Sequence, residues 1–226
     1  MLDAKASFHT KREQAVAKVK DAIMMGRYQP GQSLKQVQLM ADLDLGATPA
    51  REAALELVAM GLLVHESHRG MRVADLDFAR VAHVYGVRAL LEAEAARLSA
   101  SRATAQTIER VRRHAQAMKT AFANHDLRRL SAADTRFHQA LYGAADNPVL
   151  LKLIEQMWDQ FPRYMLWQRP ERVRQSIHEH GDIATKFARR DADGTARAVE
   201  RHILHGLDAF NTILRTQRSP HTEIAQ

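Results

Sequence analysis

Apolar residues recur at helical spacing almost from the start of the chain. Between Lys11 and Met25, Ala15, Val19, Ala22 and Ile23 share one face, which predicts an amphipathic helix. "GRYQPG", Gly26 to Gly31, ends it with glycine and proline turn chemistry. Val37 to Leu43 predicts a short helix carrying Leu39, Met40 and Leu43. A second helix follows the link "DLGA". Thr48 is its expected N-cap, and Pro49 its first helical residue, where the missing N–H costs nothing. Leu55, Val58 and Ala59 read as its inward face, and Gly61 as the residue just past its end. The period then changes to that of strands, and Leu62–His65 and Met71–Ala74 predict a hairpin around "ESHRG".

Strand signals vanish from Asp75 on. Phe78–Ala100, Thr104–Asn124, Leu127–Tyr142, Asn147–Gln168, Glu171–Arg190 and Asp193–Thr216 all read as helices with short polar breaks. The predicted class is therefore mainly α: an N-terminal winged helix-turn-helix over residues 8–75, then an all-α antiparallel helical bundle over 76–216. The polar stretch 217–226 is expected to be a disordered tail.

Composition narrows the setting. The chain has no cysteine, which excludes disulfides and thiolate metal sites and fits a reducing, cytoplasmic compartment. No apolar run has membrane-spanning length, so no membrane partner is expected. The net charge of +7 suits a polyanion, but residues 1–75 hold ten Lys/Arg against nine Asp/Glu, so bulk charge does not locate a nucleic-acid site. Local placement does. A helix dipole favours carboxylates in the first turn, yet the second short helix places Arg51 there. In a winged helix-turn-helix that turn enters the major groove of double-stranded DNA. Arg51 would meet base edges or phosphates, and Thr48, Pro49 and the free N–H groups beside them would meet phosphate oxygens. Arg69 and Gly70 fall at the wing tip, where arginine can reach the minor groove and glycine permits close approach. An ordinary capped surface helix with a polar hairpin is the plainer alternative.

Twelve histidines invite a test of helical phase. Asp134 lies four residues after Leu130 and three before Phe137, and His138 is one turn further on. His180 lies three after Ile177 and seven before Phe187, with His178 off that stripe. His202 lies three after Val199 and eight before Phe210, while His205 sides with Arg201 and Asp208. Asp134, His138, His180 and His202 thus face the inside of one bundle, where unpartnered polar groups are costly. A divalent metal ion would satisfy all four, and three imidazoles with one carboxylate suit Zn, Ni or Mn. Separately hydrogen-bonded core histidines are the other reading. Arg88 shares the stripe of Val81 and Tyr85. It either holds the carboxylate of a ligand in the same cavity or forms an i,i+4 surface pair with Glu92.

These residues carry a resemblance. "AIMMGRYQPGQSL", "TPAREAALELVAMGLL" and "RGMRV", then "VRALLEAEAARLSA", "DTRFHQALYGAADNPVL", "EHGDIATKFARRD" and "RHI", resemble the GntR family of bacterial transcription regulators, in its FadR-like branch with an FCD ligand domain. The match runs from about Val16 to Thr216. It implies a homodimer on a two-fold operator, acting as a repressor of a catabolic operon and sensing a small organic acid effector through a metal. Asp134, His138, His180 and His202 fall on the family's ligand positions. In "LDLGATP", Asp44 stands where the family has a turn glycine, Gly46 where it has serine and Ala47 where it has a DNA-contacting arginine. A competing enzyme reading rests on "NHDL", whose His-Asp doublet is reminiscent of HD-type phosphohydrolases. Asp126 there is more simply a helix cap.

Overall fold

The computed structural model describes residues 10–66, 70–75, 77–160 and 164–218. They form two compact units, divided between Leu76 and Asp77.

Thr10 opens the first unit with a capping box, accepting from the Glu13 N–H while Glu13 accepts from the Thr10 N–H. Helix α1 (Lys11–Met24) buries Ala15, Val19, Ala22 and Ile23, the predicted face. Gly26 and Gly31 take the positive φ values the turn needs. Helices α2 (Gln36–Leu43) and α3 (Ala47–Ala59) follow, with Asp44 between them in the left-handed region at φ 50°. Strands β2 (Leu63–Glu66) and β3 (Gly70–Val73) form the hairpin, and β1 (Ser33–Leu34) joins β3 on its other edge. That two-residue strand has no sequence signal and was not expected.

Two expectations for α3 need correction. The N-cap is Gly46, without a side-chain cap, so Thr48 and Pro49 are the second and third helical residues. Pro49 is still harmless, because the first four N–H groups have no intrahelical partner. The inward stripe is Ala50, Ala53, Ala54 and Leu57, whereas Leu55 is 58% exposed and Ala59 is exposed too. Small residues on this face let α3 pack closely on α1 around a core of Val19, Leu39, Leu57 and Leu63.

The second unit is helical throughout. Helix α4 (Phe78–Ser101) runs against the last helix, α10 (Ala192–Arg218), while α5 (Ala105–Ala123) packs on α6 (Leu127–Gly143) and α9 (Pro170–Ala188). The expected helix from Asn147 to Gln168 is divided into α7 (Pro148–Trp158) and the single turn α8 (Tyr164–Trp167). Asn147 caps α7 by accepting from the Leu150 N–H. Helix α10 continues through Arg218, past the expected end at Thr216. Gly206 on α10 lies so close to α4 that an added Cβ would stand 3.1 Å from the Tyr85 ring.

Candidate functional site

Four polar groups meet inside the second unit. Asp134 and His138 come from successive turns of α6, His180 from α9 and His202 from α10. Their exposures of 4%, 2%, 1% and 7% make this one of the most buried polar clusters in the molecule. His138 Nε2 and His180 Nε2 are 3.1 Å apart, and Asp134 Oδ1 lies 3.3 Å from His180 Nε2 and 3.7 Å from His138 Nε2. One nitrogen from each of the three histidines falls within 4.8 Å of the others. His178, the neighbour predicted to point away, is exposed.

What lies behind each ring decides its tautomer. His180 Nδ1 is 2.6 Å from the Ser176 carbonyl, which only accepts, so Nδ1 carries the proton. His202 Nδ1 is 2.7 Å from Glu179 Oε2 and donates to it. Burial would raise Glu179, but hydrogen bonds from His202 and His205 and the charge of Arg172 hold it at about 2, so it accepts as a carboxylate. Burial pushes the His202 imidazole down to about 4, with His180 adding to the effect and Glu179 opposing it. His202 is therefore neutral near pH 7, with its lone pair on Nε2.

A second buried carboxylate stands behind His138. Glu92 is 0% exposed and accepts from Arg88 Nε at 2.7 Å, Trp158 Nε1 at 3.0 Å and the Tyr142 hydroxyl at 2.8 Å. Burial, then the charge of Glu92, pushes Tyr142 well above its ordinary value, so it keeps its proton. The lone pair on His180 Nε2 thus faces the Asp134 carboxylate, and that on His202 belongs to a group of three histidine nitrogens within 4.8 Å of one another. Such a donor set fits a divalent cation, with imidazoles oriented by outer partners in the manner of metal sites.

Beside the cluster is a cavity of about 30 Å³, lined by Tyr85, Arg88, Asp134, His138, Leu166, Trp167, Arg172, Ser176, His202, Ile203 and Gly206. Arg88 does pair with Glu92, yet the pair is buried, at 5% and 0% exposure, and is no surface pair. Burial disfavours the Arg88 cation, and the Glu92 carboxylate more than offsets that. Its guanidinium also lies over the Tyr85 ring, 4.8 Å from the centroid. His205 lies off the inner stripe, as its phase suggested, and from there it hydrogen-bonds Glu179 at 2.7 Å. Arg172, which phase reasoning passed over, is 6% exposed and donates to Glu179, and its Nε has no hydrogen-bond partner among the described residues.

In the first unit, Thr48 is exposed in the opening turn of α3, Pro49 is half-buried, and Arg51, the fifth helical residue, is exposed at the start of the second turn. Gly70 has φ 95°, and a Cβ there would stand 3.1 Å from the Leu34 carbonyl oxygen, so its own sheet already requires glycine. Arg69 lies outside the described residues.

Comparison with known proteins decides the family. Residues 11–73 match the gntR family of bacterial regulatory proteins, and residues 83–205 match the FCD domain. The chain belongs to the GntR family. This GntR regulator is 30% identical to the Nta operon transcriptional regulator of Aminobacter aminovorans over 83% of its own length and 89% of that protein's. It is 26% identical to the HTH-type transcriptional repressor RspR of Escherichia coli over 77% of each chain. Among solved structures, E. coli McbR/YncC shares the fold with a TM-score of 0.79 at 21% identity, covering 93% of this chain and 99% of that one. The GntR regulator is thus a DNA-binding transcriptional regulator with an FCD domain, and not an enzyme. The doublet behind the hydrolase reading has a structural role: Asp126 caps α6, accepting from the Arg129 N–H at 2.9 Å. Among the described residues no helix is long and apolar enough to cross a membrane.

Proposed function

We propose that this GntR regulator holds a divalent metal ion through Asp134, His138, His180 and His202 and uses the centre to sense a small carboxylate. The observation that carries the reading is the convergence of three buried histidine nitrogens within 4.8 Å of one another beside the Asp134 carboxylate, with the His180 and His202 rings oriented from behind. Zn, Ni or Mn would each accept this nitrogen-rich set. Bound there, the ion would supply a Lewis-acid anchor for a carboxylate oxygen. Arg88, which lines the adjoining cavity, is the proposed second contact for that carboxylate.

The chain acts in this reading as a homodimeric repressor of a catabolic operon, and a carboxylate shifts the dimer between DNA-competent and incompetent arrangements. The names of its relatives support the repressor part, since RspR is called a transcriptional repressor. Thr48, Pro49, Arg51, Arg69 and Gly70 are the proposed DNA contacts, with the exposure of Thr48 and Arg51 near the N-terminus of α3 as support. The test is metal analysis of the purified protein, then a thermal-shift screen of small carboxylic acids with and without a chelator. A stabilising acid whose effect disappears on chelation is the expected result. Protein that takes up none of the three metals overturns the reading.

A further inference from the structure

The hydroxyl of Tyr142 sits between a buried carboxylate and a proposed ligand, and it has one proton to give. Glu92 Oε1 already accepts from Arg88 Nε and Trp158 Nε1, at 2.7 and 3.0 Å, which ties α4 to α7. Beside a permanent guanidinium charge Glu92 is a carboxylate, able only to accept. The Tyr142 proton therefore goes to Glu92 Oε2, 2.8 Å away. What remains on the hydroxyl toward His138 Nδ1, 3.0 Å away, is a lone pair. His138 must donate, so a neutral His138 carries its proton on Nδ1. Its Nε2 lone pair then faces His180 Nε2 and Asp134 Oδ1.

We propose that Tyr142, held by Glu92, is a positioning residue of this centre: it fixes the tautomer of His138 and so presents Nε2 as a ligand. The inference rests on the metal reading for its consequence, but its mechanism can be tested without any metal. Glu92 belongs to the centre by the same chain of bonds, although it lies behind Tyr142. Its helical phase puts it on the stripe of Tyr85 and Arg88, but only the packed structure links it to His138.

Two variants separate this role from mere packing. Tyr142→Phe removes only the hydroxyl. Glu92→Gln reverses the wire, because Arg88 and Trp158 fix the amide oxygen at the Oε1 position and leave the NH₂ facing Tyr142. The hydroxyl then accepts from Gln and donates to His138 Nδ1, driving the imidazole proton to Nε2. The experiment records long-range ¹H–¹⁵N spectra of metal-stripped, ¹⁵N-histidine protein, assigned by loss of the His138 signals in His138→Ala. Zn²⁺ titrations of the same proteins follow. Expected are an Nδ1–H tautomer in the wild type, a mixture in Tyr142→Phe and Nε2–H in Glu92→Gln. Zn²⁺ affinity should fall about 10–100-fold in Tyr142→Phe, the usual effect of losing an outer partner, and further in Glu92→Gln. A wild-type Nε2–H signal, or a tautomer and affinity unchanged in both variants, overturns the proposal. A wild type that takes up no Zn²⁺ while its tautomer still responds to both variants overturns the metal reading and leaves the tautomer relay standing.

Discussion

His202 donates its Nδ1 proton to Glu179 Oε2 across 2.7 Å, in a part of α9 and α10 where the imidazole is all but sealed from water. Both partners are shifted in directions that oppose acid. Burial takes His202 from 6.5 to about 4, and the hydrogen bonds and Arg172 take Glu179 from 4.5 to about 2. Folding therefore disfavours protonation of both.

Metal-free protein should accordingly lose stability on acidification in two windows. The unfolded chain protonates His202 below about 6.5 and the folded chain resists until about 4, so this contribution is complete above 6.5 and fades between those values. The Glu179 contribution is complete above 4.5 and fades toward about 2. Thermal melts in chelator from pH 8 to pH 2 check this. His202→Gln should flatten the upper window, and a wild-type Tm that does not move between pH 7.5 and pH 5 would show that the shift is absent.

Neighbouring histidines on α9 give a matched pair for the metal reading. His180→Ala should abolish metal uptake and lower the Tm measured with metal present, whereas the exposed His178→Ala should do neither. Equal metal content in the two variants removes His180 from the site.

Arg88→Ala should be costly before any effector is considered. It leaves Glu92 buried without its cation, and breaking such a pair from one side costs about 3–5 kcal/mol. Tyr142 and Trp158 still donate to Glu92, which favours the lower end. Arg88→Met combined with Glu92→Gln should recover part of the loss. Urea unfolding measures both, and a cost below about 1 kcal/mol for Arg88→Ala would mean that the pair behaves like an exposed one.

How far the chain could be read in advance differs from one residue to the next. The ligand candidates were legible because Leu130, Phe137, Phe187 and Phe210 set strong helical phases around them. Helix α3 was partly misphased because its inner stripe is mostly alanine, so the larger Leu55 dominated the pattern, whereas Val58 does pack against the core. Tyr142 and Ser176 stand one turn from His138 and His180, a spacing that could have flagged them as outer partners. Glu179 could not be found so. It lies between His178 and His180 on the flank of α9, and only the packing of α10 alongside brings His202 and His205 to it.

Asp44 holds a left-handed conformation at the end of α2, where a side chain costs energy. Asp44→Gly should raise stability by up to about 1 kcal/mol, since aspartate tolerates this region better than most residues. A fall in the unfolding midpoint would mean that the carboxylate has a favourable role there.

DNA contacts are tested on operator and random duplexes at two salt concentrations. Arg51→Ala should cost about 1–3 kcal/mol on the operator and less on random DNA if the side chain reads base edges. Ala47→Arg should tighten binding and steepen its salt dependence if the new cation reaches a phosphate. Equal weakening of both duplexes by Arg51→Ala would make Arg51 a phosphate clamp only, and no weakening of either would take α3 out of the groove.

Gly206 faces the Tyr85 ring across a gap too narrow for a methyl group, and both line the same cavity of about 30 Å³. That space has room for about two water molecules. A carboxylate bound as proposed would be measured there against a flat aromatic wall and a bare backbone, neither of which can fold aside as a flexible side chain would. Homologous acids differing by one carbon should be told apart here by about 1–3 kcal/mol, the usual worth of a methylene in a fitted pocket. On the proposed reading the glycine would serve as a ruler, and changing it should alter which chain length is admitted before it alters anything about charge.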